Sequence, residues 1–329
     1  MKLDLEYLFE QKTLTRERAR ELLVNIAEGE YNGSQLASFL TVFIMRSITV
    51  EELAGFRDAL LELCVKVDLS EYETIDLCGT GGDGKDTFNI STLSSFVTAG
   101  AGVKVAKHGN YGVSSACGSS NVIQHLGYEF TSDPDKLRKQ IDEAGICFLH
   151  APLFHPAMKN IAPIRKEMGV KTFFNMLGPM VNPSFPKNQV VGVFNLELAR
   201  KYAYLYQNSE KRYSIIHALD GYDEISLTGR FKVISNEGER LLSPQDLGLE
   251  TVKASDLYGG ATVEESGEIF TSILKGNGTK TQNQVVVANA GMAISCIHSE
   301  KSMEECIGLA RESLESGAAH KCLTTLLAI

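Results

Sequence analysis

At 329 residues the chain exceeds the size at which one hydrophobic core stops growing, and its 43% apolar share points to folded domains, two by length, and away from disorder. A formal net charge of -9 leaves no basic stripe to displace the counterions of a nucleic acid, although a local site for a small anion needs none.

The first 66 residues read as helices. Thr15 caps a helix into the 16–29 region, ended near Gly29, and Asn32-Gly33-Ser34 is a turn feeding another over roughly 35–46. Thr49 and Glu52 have capping-box spacing before VEELAGFRDALLELCVKV. Short amphipathic segments with short links are expected to form a small bundle. After Asp68 the pattern changes to short apolar runs, TIDLC (74–78), GVKVA (102–106), ICFLHA (146–151) and VVGVF (190–194), alternating with helical stretches. Such alternation, with glycine-rich turns at the run ends, argues for an α/β domain around a largely parallel sheet. Residues 156–178 look helical again. The expected division is therefore a helical domain of 1–68 joined by part of 156–185, and an α/β domain of 69–155 and 186–329. Strand-like pieces (ISLTG, FKVIS, ATVEE) fill 225–275, and helices over 284–297, 301–314 and 318–328 close the chain.

Seven cysteines without a CxxC pair read as reduced apolar fillers. No run approaches the ~20 apolar residues of a membrane span, and MKLDLEYLFE lacks the apolar segment of a signal peptide. A cytoplasmic location, with neither membrane nor nucleic acid as partner, is the expectation.

DLCGTGGDGKDTFNIST (76–92) is the densest signal. It follows a strand-like run, and Gly79, Gly81, Gly82 and Gly84 permit positive φ and close backbone approach to a ligand. A helix starting near Ser91–Thr92 would present unpaired N–H groups to an anion, with Thr80, Asn89, Ser91 and Thr92 adding short polar groups. This reads as a cradle for phosphate or pyrophosphate. Gly79 through Lys85 also matches a Walker A loop, but Asp86 stands where a hydroxyl should meet Mg²⁺.

Lys107-His108-Gly109-Asn110 follows the next run, where Lys107 would meet a phosphate as a point charge. Ser114, Ser115, Gly118, Ser119, Ser120 and Asn121 precede another helix and offer a second anion nest. In HPAMKNIAPIRKEMG (155–169), Arg165 carries the planar fork that suits a carboxylate, whereas Lys159 and Lys166 read as solvated helix surface. His150, His155 and His217 have no metal-binding spacing. Asp220-Gly221-Tyr222-Asp223-Glu224 follows the strand-like YSIIHAL, and hard oxygen ligands at a strand end suit Mg²⁺ shared with substrate phosphates.

Together, GTGGD (79–83), NIST (89–92), KHGN (107–110), HPAMK…P-x-R (155–165), KTFFNMLGPMVNP (171–183) and DGYDE (220–224) resemble the anthranilate phosphoribosyltransferases of tryptophan biosynthesis. That resemblance covers effectively the whole chain. It implies transfer of phosphoribose from phosphoribosyl pyrophosphate to anthranilate, with Mg²⁺, in a homodimer whose active site lies between a helical and an α/β domain. The resemblance gives Gly79, Gly82, Asp83, Thr87, Asn89, Ser91, Thr92, Lys107 and Ser119 to the donor, and Gly79, Asn110 and Arg165 to anthranilate. Asp223 and Glu224 match the metal pair, with Ser91 as an additional ligand. Two departures stand out: Tyr111 follows KHGN where many members have arginine, and GSSN (118–121) replaces the common G-S-A-D. The fold is shared with pyrimidine-nucleoside phosphorylases, which form the alternative reading beside a non-catalytic regulatory protein.

The chemistry follows from the reactants. Departure of pyrophosphate from C1 of ribose builds negative charge on the leaving oxygens, which N–H groups, Lys107 and Mg²⁺ are suited to stabilise. The aromatic amine loses its proton readily as the C–N bond forms, so no general base is assigned.

Overall fold

The computed structural model describes residues 1–112 and 117–329. Ser114 and Ser115 of the expected second nest therefore lie outside the described residues. The chain begins with α1 (Lys2–Phe9), α2 (Arg16–Ala27), α3 (Gly33–Met45) and α4 (Val50–Leu63). It continues through β1 (Thr74–Gly79), α5 (Ile90–Gly100), β2 (Lys104–Gly109), α6 (Ser119–His125), α7 (Pro134–Ala144) and β3 (Ile146–His150). Three short helices follow, α8 (Ala151–Phe154), α9 (Ala162–Met168) and α10 (Phe174–Leu177), before β4 (Asn188–Gly192), α11 (Leu196–Tyr206) and β5 (Arg212–Ala218). The remainder is β6 (Phe231–Ser235), β7 (Gly238–Leu242), α12 (Val263–Leu274), α13 (Lys280–Ile297), α14 (Met303–Glu315) and α15 (Ala318–Ala328).

Two units emerge, one of residues 1–67 and 151–183 and one of 68–150 and 184–329. The seam falls at Ala151, five residues ahead of the expected 156, because the chain leaves β3 directly into helical turns. There the Val65 N–H donates to the Phe154 carbonyl (2.8 Å), and the Val67 N–H to that of Pro183 (3.1 Å). Those bonds hold the ends of the two pieces.

Local chemistry sets the helices of the first unit. The Thr15 hydroxyl accepts from the Arg18 N–H, and Thr49 and Glu52 form the expected capping box. Asn32 is itself the cap of α3, boxed with Gln35, so that helix starts at Gly33 and not at 35. Phe39 and Phe43, one turn apart on α3, meet Phe56 of α4 and Phe173 of the second piece, with Phe56 and Phe173 stacked at 4.5 Å. Beside this cluster the Glu52 carboxylate, fully buried, takes the Arg46 guanidinium at 2.5 Å and the Leu14 N–H at 3.0 Å.

The second unit is a seven-stranded sheet in the order β3-β2-β1-β4-β5-β6-β7. Neighbours from β3 to β5 are parallel, and β6 and β7 extend the edge antiparallel. Strand order runs outward from β1 to β3 and then resumes at β4 on β1's other side, so the C-terminal ends of β1 and β4 form a topological switch point. The α13 stretch VVVANAGMAI is buried throughout and packs on α5, β4 and β5, as an all-round apolar helix must.

Two strand expectations fail. ATVEE opens α12, because Thr262 accepts from the Glu265 N–H and Glu264 and Glu265 suit the positive first turn. ISLTG holds no strand; Leu227 has φ of 60°, and its carbonyl accepts from Val252. Among the described residues no helix is long and apolar enough to cross a membrane.

Candidate active site

The loop after β1 is built around a carboxylate from far along the chain. Gly79 and Gly192 stand opposite each other on β1 and β4, and a Cβ on either would collide with Asp223. Only glycine leaves the space that Asp223 occupies. Its Oδ2 accepts the Gly81 N–H at 2.7 Å, which ties the loop to the turn after β5. Gly81, Gly82 and Gly84 carry the positive φ expected of them, at 65°, 79° and 73°. Gly79 does not, and serves by close approach.

The 220–224 turn makes this convergence. Gly221 has φ of 101°, and the Ala218 N–H donates back to the Tyr222 carbonyl at 3.1 Å. Adjacent carboxylates on an extended strand would point apart; after this turn, Asp223 reaches Gly81 and Glu224 accepts the Ser91 N–H at 3.1 Å. Burial pushes both carboxyls up, the charge of Asp83 adds to it in each, and that of Asp223 raises Glu224 further. Asp220 does not join them, its carboxylate being taken by the Thr228 hydroxyl.

Sequence reasoning missed what anchors the turn. Asn289 of α13, buried, accepts from the Ile225 N–H at 3.0 Å and donates to the Ile225 carbonyl at 2.9 Å. A lone asparagine within VVVANAGMAI was the available signal, since a buried amide requires partners.

The helix start at α5 is less open to an anion than expected. Ile90 donates to Phe88 and Ser91 to Glu224, while the Asn89 side chain donates to the Cys117 carbonyl at 3.0 Å. Thr92 is turned into the core. Thr87 sits against Tyr258, and the Phe88 N–H donates to Leu257, so the far end of the loop is pinned. The buried Thr80 hydroxyl has no partner among the described residues. Asp83 accepts the Lys85 N–H at 3.0 Å. Lys85 lies over the Tyr222 ring, and α5 begins five residues after it, which is not the arrangement of a Walker A lysine.

Lys107 departs from expectation. The second strand runs over 104–109 and not 102–106, because Gly102, at φ of 91°, still belongs to the turn. Lys107 thus lies inside β2, 1% exposed, with its ammonium 2.6 Å from the Leu77 carbonyl. Burial lowers its pKa, while Asp76 and Glu224 oppose that. Only Asn110 of KHGN is exposed. Ser119 donates to the Asn110 carbonyl at 3.2 Å, and Asn121 Oδ1 accepts the N–H groups of Gly112 and Gly118, at 2.9 and 3.0 Å. The amide of Asn121 thereby fills part of the nest that was expected to hold an anion.

In the helical unit, Arg165 of α9 is half-buried, lies over the Phe174 ring and donates to Asn175 Oδ1 at 3.2 Å. Among the described residues its buried Nε has no partner and its guanidinium makes no ion pair. Burial lowers its pKa. Lys159 and Lys166 are exposed, as surface lysines are.

Known proteins share this arrangement. The description "Glycosyl transferase family, helical bundle domain" matches residues 5–64, and "Glycosyl transferase family, a/b domain" matches 71–320. The class is therefore a glycosyltransferase of bundle-plus-α/β build. The anthranilate phosphoribosyltransferase of Flavobacterium psychrophilum is 64% identical over 326 residues, covering 99% of this chain and 98% of its own. Among solved structures, the enzyme of that name from Thermus thermophilus has a TM-score of 0.91 at 34% identity, covering 98% of both chains. That from Saccharomyces cerevisiae, in complex with PRPP and Mg, has a TM-score of 0.91 at 27% identity, covering 98% of this chain and 96% of its own. The chain belongs to the anthranilate phosphoribosyltransferases.

Replacing Asn289 with leucine leaves the Ile225 N–H and carbonyl unpaired, at about 1–3 kcal/mol for each buried group. The expected outcome is a lowered midpoint in urea denaturation followed by circular dichroism. An unchanged midpoint would remove the anchoring role.

Proposed function

We propose that the chain transfers the 5-phosphoribosyl group of phosphoribosyl pyrophosphate to the amine of anthranilate, giving N-(5-phosphoribosyl)anthranilate and pyrophosphate. The observation that carries this reading is the meeting of the GTGGD loop with Asp223, and of Ser91 with Glu224, at the sheet's switch point. Glycine-lined backbone there suits the phosphates of the donor, and two crowded carboxylates suit a divalent cation shared with them.

The residues fit Mg²⁺. Their ligand atoms are hard oxygens, and among the described residues no three acidic, thiol or imidazole side chains enclose a metal unaided. An ion that also binds substrate oxygens needs fewer protein ligands. Asp223 and Glu224 would hold it, with Ser91 as a further oxygen ligand. When bound, Mg²⁺ supplies stabilisation of the negative charge on departing pyrophosphate.

The chain's own groups do the remaining work. Gly79, Gly82, Asp83, Thr87, Asn89, Ser91 and Thr92 form the donor loop, with Ser119 near the second turn. Lys107, held beneath Glu224, offsets the carboxylate charge and thereby favours its ionised, ligating form. Asn110 and Arg165, with the Gly79 backbone, orient anthranilate. The Nε without a partner, and the lack of an ion pair among the described residues, support Arg165 as the partner of its carboxylate. No side chain is assigned as general base, because the amine's proton becomes acidic as the new bond forms.

The reading extends to a cytoplasmic homodimer joined through the helical unit. Phe39, Leu40, Val42 and Phe43 of α3 serve the unit's own core. Ile44 and Met45 are left exposed, as are Leu3 and Phe9 of α1.

Three outcomes test these assignments. Changing Asp223 and Glu224 together to their amides is expected to weaken Mg²⁺-donor binding in a folded protein, with activity partly restored by excess Mg²⁺; unchanged binding by titration calorimetry would remove the metal role. Arg165→Ala is expected to raise the KM for anthranilate about 10- to 150-fold, from a loss of roughly 1.5–3 kcal/mol, with little change for the donor. Equal changes in both KM values would count against it. Light scattering at micromolar concentration is expected to give twice the mass of the 36.0 kDa chain, and a single-chain mass would rule out the dimer.

A further inference from the structure

His150 ends β3 directly beside Gly109 of β2, next to the KHGN turn. Its ring is 5% exposed and stacked on Phe130, with centroids 4.1 Å apart and planes 17° apart. Tyr111 meets the ring edge-on at 4.8 Å and 77°. On its side, His150 Nδ1 lies 2.9 Å from the hydroxyl of fully buried Ser120. Burial pulls the imidazole down to about 4, so at neutral pH it stacks as an uncharged aromatic.

These contacts lead to Asn110. The Ser120 N–H donates to its carbonyl at 3.1 Å, as does the Ser119 hydroxyl at 3.2 Å. Its side-chain Oδ1 accepts the Tyr111 N–H at 2.8 Å. An N–H can only donate, so the amide oxygen must face it and Nδ2 is turned away. Tyr111 is itself held by its hydroxyl, which donates to Gln124 Oε1 of α6 at 3.1 Å. Asn110 is thus gripped at both oxygens, and each grip leads back to His150, through Ser120 or through Tyr111.

We propose that Tyr111 and His150 are positioning residues for the acceptor substrate, holding Asn110 in the one orientation that offers its amide N–H groups to anthranilate. This rests on the reading of Asn110 as an acceptor contact. Tyrosine at 111, where arginine is common in the family, supplies the ring edge that an aromatic His150–Phe130 stack can hold, and it introduces no charge.

The test is a double-mutant cycle on the full chain, read as separate KM values for anthranilate and phosphoribosyl pyrophosphate. Tyr111→Ala is expected to raise the anthranilate KM about tenfold, with the donor KM and kcat changed less than about threefold. In the Asn110→Ala background the same change is expected to add less than about twofold, because Tyr111 acts through Asn110. Tyr111→Phe keeps the ring and the N–H and is expected to stay within about threefold of the parent. His150→Phe, which keeps the stack and loses the Ser120 contact, runs in the same cycle should Tyr111→Ala fail to fold. Full additivity with Asn110→Ala, or equal effects on both substrates, overturns the positioning role while the Asn110 reading stands. An unchanged anthranilate KM in Asn110→Ala overturns that reading and this inference with it.

Discussion

Asp223 is held where two strands would normally exclude it. Gly79 and Gly192 face each other across β1 and β4 and leave a slot for Asp223, whose carboxylate lies against Gly79 and whose backbone carbonyl lies against Gly192, and that carboxylate takes the Gly81 N–H. β1, β4 and the loop thereby meet on one buried residue. The glycine-rich loop is held by that bond as well as by its own glycines. Glu224 follows into the first turn of α5, so the helix N-terminus that would otherwise face a ligand anion already faces a carboxylate. Asp83, Asp223 and Glu224 are thus crowded together, which with burial raises the last two carboxyls, and the Lys107 charge opposes this at Glu224. A negatively charged enzyme can still bind a polyanion under these conditions if the complement comes as backbone N–H groups and a divalent ion in place of a basic patch.

Much of this site was legible as residue types and little of it as geometry. GTGGD and DGYDE stand out because few structural turns gather that many glycines or acids. Their meeting could not be read, since Gly81 and Asp223 lie 142 residues apart and the slot depends on strand order. Lys107 was expected in the turn after GVKVA; that pattern begins inside a turn and β2 runs on to Gly109, so Lys107 lies within the strand with its ammonium on the Leu77 carbonyl. ATVEE reads as a strand by its β-branched residues, yet the Thr262 cap decides it locally. Asn289 was hidden by its apolar neighbours, although burial in such company is what makes an asparagine informative.

The helical unit shows how identity and local detail separate. The Thr49–Glu52 capping box follows directly from spacing, whereas Asn32, which reads as part of a turn, is boxed with Gln35. The departures from the family pattern do not weaken the second turn. Asn121 accepts the Gly112 and Gly118 N–H groups with a neutral amide oxygen, the part an aspartate oxygen could also play. Tyr111 exchanges a charge for a ring contact and one hydroxyl bond.

The two-piece helical unit also bears on biosynthesis. Phe39, Phe43 and Phe56 are made early, but Phe173, which stacks on Phe56, emerges 106 residues after Val67. At about 5–20 residues per second on the ribosome, the nascent bundle waits on the order of 5–20 s for its fourth ring. During that interval β1, β2 and β3 are synthesised. The aromatic cluster of the helical unit is therefore completed only when the second piece arrives, and its completion is timed by translation as well as by its own contacts.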